Sequence, residues 1–209
     1  MNEFKELVLK EAEAHRVELV DLCMKIHDNP ELGLQEFMAL GWLTGYLEGH
    51  GFKVERGICG LPTAFKAAYG QGVPNIAYLA EYDALPDLGH ACGHNIIAAS
   101  AVGAAIAIKP AIDQLGGRVL VIGTPSEEVC GCKEIMVRGG AFTDVDVAMM
   151  IHPGTRDIAM APALACSPLE VEFFGKAAHA AAYPEQGINA LDAIILSFNN
   201  INALRQHIK

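Results

Sequence analysis

The stretch RVLVIGTPSEE, residues 118–128, carries the reading on which the fold turns. Arg118 to Ile122 is a short apolar run and reads as a strand. Glu127 and Glu128 follow it within a tight turn. The arrangement recurs on either side. Asn75–Ala80 is a short apolar strand followed by EYDALPDLGHACGH, and Val145–Ile151 is a third, followed by HPG. An apolar helix over Asn95–Ile108 and a helix-like stretch reaching Arg138 fill the gaps. Strands alternating with helices predict an α/β fold with a mostly parallel sheet flanked by helices.

Working outward, Phe4, Leu7, Val8, Val17, Val20 and Met24 fall near a helical period and predict one long opening helix, ended by Pro30. A second helix is expected over Leu34–Leu47, then strands over Phe52–Val54 and Thr63–Tyr69. The character changes after Pro162. Leu169–Phe174 alternates like a strand with one wet face. GKAAHAAAYPEQG follows, then an amphipathic helix with Ile188, Leu191, Ile195, Phe198, Ile201, Leu204 and Ile208 on its apolar side. The expected division is a first domain over residues 1–162 and the beginning of a second, α+β one over 163–209. The last helix is still in phase at Lys209 without a stop signal, so the chain reads as the N-terminal part of something longer.

Composition narrows the function. The 209 residues carry 15 Lys and Arg against 25 Asp and Glu, a net charge of -10. That balance argues against a nucleic-acid binder and against an anionic membrane surface. The apolar run Ile96–Ile108 is shorter than the roughly 20 residues a membrane span needs. The opening is acidic and helix-like rather than a signal peptide. The six cysteines show no framework spacing, which predicts a reduced, cytoplasmic protein. No dinucleotide or Walker glycine motif is present.

Ligands of open α/β sheets bind outside the carboxyl ends of the strands. After Ala80 come Glu81, Asp83, Asp87, His90, Cys92 and His94; after Ile122 come Glu127 and Glu128; after Ile151 comes His152. Three strand ends thus supply the residue types that hold zinc and similar divalent metals, while the strand interiors nearly lack them. Cys92 and His94, at alternate positions, can face one cation. The competing reading makes Cys92 a small buried residue and the histidines caps of the next helix. Adjacent glutamates at 127 and 128 point apart, so one can bind metal while the other moves a proton. They also suit a solvated helix N-terminus. His152 and His179 each admit an ordinary structural role. Cys130 and Cys132, two residues apart, are read as packing.

Together these segments resemble a metallopeptidase family that includes aminoacylases, carboxypeptidase G and plant auxin-conjugate amidohydrolases. The resemblance rests on IHDNPELGLQE (26–36), AEYDALPDLGHACGHN (80–95), GTPSEE (123–128), IHPG (151–154) and GKAAHAAAYPEQG (175–187). The cysteine-containing version looks like the amidohydrolase branch, nearest its aminoacylase-1-like, dipeptidase and aminobenzoyl-glutamate hydrolase subgroup. Much of that branch has Asp where this chain has Asn95.

The resemblance implies a zinc-peptidase-like catalytic domain followed by a lid and dimerisation domain. It implies two divalent metal ions, zinc or manganese with cobalt also compatible, on Cys92, His94, Glu128 and His152. Glu127 would be the general base acting on the metal-bridging water, Asp83 would orient a ligand, and His179 would reach the active site of a homodimeric partner from the lid. The expected substrates are N-acyl amino acids or small dipeptides. The family supplies a last metal-binding His after the chain returns from the lid, beyond Lys209. Two other readings compete: a thiol amidase with Cys92 as nucleophile, and a truncated, catalytically incompetent fragment.

Overall fold

The strand expected over Arg118–Ile122 is β4 (Gly117–Gly123), buried on both faces. Its side chains alternate between two cores: Val119 and Val121 enter one, Leu120 and Ile122 the other. This is the period-2 signature of a strand covered on both sides. The computed structural model describes residues 3–160 and 169–208. Contacts divide the chain into two compact units, Met1–Asp157 and Ile158–Lys209. The boundary expected between 162 and 163 lies outside the described residues.

In the first unit a five-stranded sheet has the order β1-β2-β4-β3-β5, with β1 Lys53–Arg56, β2 Phe65–Gln71, β3 Asn75–Ala80 and β5 Val147–Met149. β3 runs parallel to both β4 and β5, the three strands whose ends carry the candidate ligands. β1 and β2 add an antiparallel side to the sheet. Register sets the level of the strand ends. Ala80 lies opposite Gly123, and the Thr124 N–H donates to the Ala80 carbonyl at 2.8 Å. The loops after β3 and β4 therefore leave the sheet side by side. Gly123 has no room for a side chain, since a Cβ there would lie 2.1 Å from Phe65 Cε1.

Helices cover the sheet. α1 (Glu3–Ala14), α2 (Arg16–His27), α3 (Phe37–Gly49) and α4 (His94–Ala107) pack around the larger core, in which Leu43, Leu47, Phe65 and Tyr82 are buried. Each such side chain contributes about 1.5–3 kcal/mol by burial. The long opening helix expected from periodicity is broken at His15. α1 packs against α4 and α5 (Lys109–Leu115), whereas α2 packs against α3 and α4. Two sets of neighbours need two axes. α4 and α5 together, His94–Leu115, are long and apolar enough to cross a membrane by length and composition, but 67% of their most apolar part is buried in the protein.

After β4 the helix-like stretch is two short helices, α6 (Glu127–Cys130) and α7 (Cys132–Arg138). Gly131 between them is left-handed, with φ 58°. This brings the Cα atoms of Cys130 and Cys132 within 5.4 Å, and the two cysteines form a disulfide. The pair is therefore a cross-link, not mere packing. Spacing alone hides it, because closure depends on the turn at Gly131.

In the second unit, Lys176 and Ile188 exchange backbone hydrogen bonds of 3.0 Å in each direction. They close a loop over 176–188 that holds His179. α8 (Ala190–Leu204) follows, capped by Asn189, whose Oδ1 accepts from the Leu191 and Asp192 N–H groups. Leu169–Phe174, expected as a strand, forms no ladder among the described residues. Alternation gives a strand only where a partner edge exists; among the described residues the bridge formed nearby is Lys176 to Ile188.

One buried carboxylate fixes the turn after β4. Glu36, fully buried, accepts from the Ser126 N–H at 2.8 Å and from the Thr63 hydroxyl at 2.7 Å. Ser126 is held in a left-handed conformation, φ 52°. Burial raises the Glu36 carboxyl above its usual value, and the hydrogen bonds from Thr63 and Ser126 offset this only partly. Its favourable contribution is thus complete below the unfolded pKa and is lost as pH rises through the native one. Glu36→Ala should lower stability by about 1–3 kcal/mol in urea titrations, because two buried donors lose their acceptor. Glu36→Gln keeps an acceptor and should gain on the native sequence as pH rises from acid to neutral; an unchanging difference across that range would contradict the burial argument.

Candidate metal centre

Asp83 is the hub of the site. Its side chain is fully buried. Its Oδ1 lies 3.0 Å from His94 Nδ1, and its backbone carbonyl is 2.9 Å from the same nitrogen. Both oxygens only accept, so Nδ1 carries the proton and Nε2 keeps a lone pair. Asp83 Oδ2 accepts the Glu128 N–H at 3.1 Å. One carboxylate thus ties the end of β3, the first residue of α4 and the turn after β4. Burial acts to raise the Asp83 carboxyl, but the His94 hydrogen bond and the Glu128 and Glu127 N–H groups outweigh it and hold it below its ordinary value.

Around His94 Nε2 the other candidates gather. Cys92, His94 and His152 each offer a ligand atom within 4.8 Å of the others, as do His94, Glu127 and Glu128. Cys92 Sγ is 3.7 Å from His152 Nε2, and Glu128 Oε1 is 3.6 Å from His94 Nε2. The His152 Nδ1–H donates to the Pro153 carbonyl at 2.8 Å, which leaves Nε2 directed at the cysteine. Gly93 makes this approach possible. It caps α4 in a left-handed conformation, φ 80°, and a Cβ there would lie 2.8 Å from Pro153 Cγ.

Of the sequence candidates, Asp83, Cys92, His94, Glu127, Glu128 and His152 meet in the first unit. His90 does not join them: it is buried beside His27, and burial pushes its imidazole down to about 4. His179 belongs to the second unit, where its Nδ1 accepts the Ala181 and Ala182 N–H groups at 3.2 and 3.1 Å. Its Nε2 therefore carries the proton. Glu81 has no assigned role in the sequence beyond following a strand end, yet it joins the site. It is buried, pairs with Lys133, and sets Oε2 3.4 Å from His94 Nε2. Its signal is position alone, immediately after Ala80.

The donor set fits divalent cations. His94 Nε2 and Glu81 Oε2 are buried without a hydrogen-bond partner among the described residues, an expensive state unless something else satisfies them. Glu81, Asp83, Glu127 and Glu128 concentrate negative charge around one imidazole. Burial has the largest effect on His94 and lowers its pKa, yet the Asp83 hydrogen bond and the charges of Asp83, Glu81 and Glu128 outweigh it and hold the imidazole above its usual value. Burial, then the Glu128, Glu127 and Glu81 carboxylates, push the Cys92 thiol up to about 11. A divalent cation reverses that field and deprotonates a coordinating thiol.

No family model matches the chain. Among curated proteins it is 40% identical to a mouse Xaa-Arg dipeptidase, over 97% of this chain and 51% of the relative. It is 38% identical to a p-aminobenzoyl-glutamate hydrolase subunit of Escherichia coli, over 100% of this chain and 47% of the relative. The chain thus spans about half the length of the curated relatives it matches. A solved Bacillus subtilis protein, described as a dinuclear metal binding peptidase, superimposes with a TM-score of 0.60 and 26% identity, covering 65% of this chain and 42% of that one. By shared sequence and shared fold together, the chain is similar to peptidases and amidohydrolases, among them a solved peptidase of the M20 family, and fits the amidohydrolase subgroup.

Proposed function

We propose that this chain carries the metal-binding core of a hydrolase that cleaves the amide bond of N-acyl amino acids or small dipeptides. The observation that carries the proposal is the convergence of Cys92, His94 and His152 with the paired glutamates at the ends of three parallel strands. Relatives named as a dipeptidase and an aminobenzoyl-glutamate hydrolase support the substrate class. Cys92, His94, Glu128 and His152 would hold two divalent ions, zinc or manganese, with cobalt compatible. Bound there, such ions supply Lewis acidity toward the scissile carbonyl and toward water.

The chain's own groups do the rest. Glu127 takes the proton from the attacking water and delivers it to the leaving amine nitrogen. Asp83 fixes the tautomer of the neutral His94 ring, so that it is Nε2 that presents the lone pair to a cation. His179, with its proton fixed on Nε2, is a hydrogen-bond donor for the charge that develops on the carbonyl oxygen. In this proposal it acts on the active site of a second copy, through a homodimer formed by the second unit.

The 3.7 Å approach of Cys92 Sγ to His152 Nε2 also favours a thiol amidase. Against it stands the thiol's elevated pKa, since the thiolate is the nucleophile. Dialysis against a chelator should abolish hydrolysis, and zinc or manganese should restore it. Hydrolysis that survives metal removal would transfer the chemistry to Cys92.

In a complete enzyme, Glu127→Gln should lower turnover roughly 10²–10⁴-fold with bound metal retained; wild-type turnover in that variant would remove Glu127 from the mechanism. Mixing His179→Ala with Glu127→Gln subunits should recover part of the lost activity. Heterodimers that form and stay inactive would refute action in trans.

A further inference from the structure

A second cluster of metal-ligating side chains lies on other helices. His15, at the break between α1 and α2, Glu18 on α2 and His50, at the C-terminal cap of α3, each present one ligand atom within 4.8 Å of the others. His50 Nδ1 is 2.8 Å from the Tyr46 carbonyl. A carbonyl only accepts, so Nδ1 carries the proton and Nε2 keeps its lone pair. His15 Nδ1 is 3.3 Å from Glu18 Oε2. Nδ1 is thus the His15 nitrogen that faces the Glu18 carboxylate, and with its proton on Nε2 the ring offers its lone pair beside that oxygen. The Tyr46 hydroxyl donates to the same Glu18 oxygen at 2.7 Å, which leaves Oε1 for another partner. The two imidazoles meet edge to face, centroids 4.9 Å apart, and Tyr46 packs against His50 with the rings tilted by 50° and centroids 4.4 Å apart. His15 and Glu18 are 24% and 59% exposed, so a hydrated ion can reach them.

We propose that His15, Glu18 and His50 form a separate binding site for one borderline divalent cation of the zinc class. Two imidazole nitrogens and one carboxylate oxygen suit such ions, whereas calcium and magnesium favour all-oxygen sites. The Tyr46 carbonyl holds His50 and the Tyr46 hydroxyl holds Glu18, and such outer contacts orient metal-binding side chains. Water completes the coordination. The ion cross-links the α1–α2 turn to the end of α3, and the site contains no sulfur.

The test uses this chain with Cys92→Ser and His152→Ala, which weaken the thiol-containing centre, dialysed free of metal and titrated with zinc chloride. One equivalent should bind calorimetrically. Adding His15→Ala or His50→Ala should abolish it, and Tyr46→Phe should weaken it roughly tenfold. In the chain that keeps Cys92, His15→Ala and His50→Ala should leave the cobalt–thiolate charge-transfer absorption unchanged while one equivalent of bound cobalt is lost. Because His50→Ala disturbs the packing on Tyr46, imidazole nitrogen NMR on the unsubstituted chain provides an independent readout. Zinc should shift the His15 and His50 rings. Shifts confined to other histidines, or full binding retained in both alanine variants, would overturn the proposal.

Discussion

The Asp83–His94 hydrogen bond is the constraint on which the rest of the site depends. It is made in a fully buried setting, where an unpaired carboxylate or imidazole would be costly. The other oxygen of Asp83 holds the backbone at Glu128, so a shift of this one residue moves both the start of α4 and the turn after β4. Glu36 secures that turn from the opposite side through Ser126. The segment around Glu36 contributes again through Gly33, where a Cβ would lie 2.3 Å from Ser126 Oγ. The candidate ligands are thus braced by residues that never face a cation.

The electrostatics follow from this bracing. Four carboxylates converge on His94, and among them only Glu81 has a lysine partner, Lys133, among the described residues. A site with this imbalance is frustrated without a positive guest. The same imbalance raises the Cys92 thiol, so that its ligand form depends on cation binding. Metal affinity and thiol ionisation are coupled here, which is why a free nucleophilic thiolate is a poor description of the site.

Much of this is legible in the sequence because it is written in short-range patterns. Strand β3 and the residues after each strand end are visible in apolar runs that stop at Cys, His or Glu. What stays hidden depends on distant partners. The break at His15 arises because α1 and α2 have different neighbours. The supporting role of Glu36 spans 90 residues of sequence to Ser126. The disulfide at Cys130 and Cys132 needs the left-handed turn at Gly131. Leu169–Phe174 alternates correctly yet has no ladder among the described residues, since periodicity says which face is apolar and nothing about who pairs with it.

The strand order has a consequence for biosynthesis. β3 lies between β4 and β5, and both come after it in the chain. As the polypeptide leaves the ribosome, both edges of β3 await partners that have yet to be translated. Parallel pairings across such separations close slowly and leave sticky surface uncovered meanwhile. The edge of β3 that β5 covers therefore stays open until residues 147–149 have emerged.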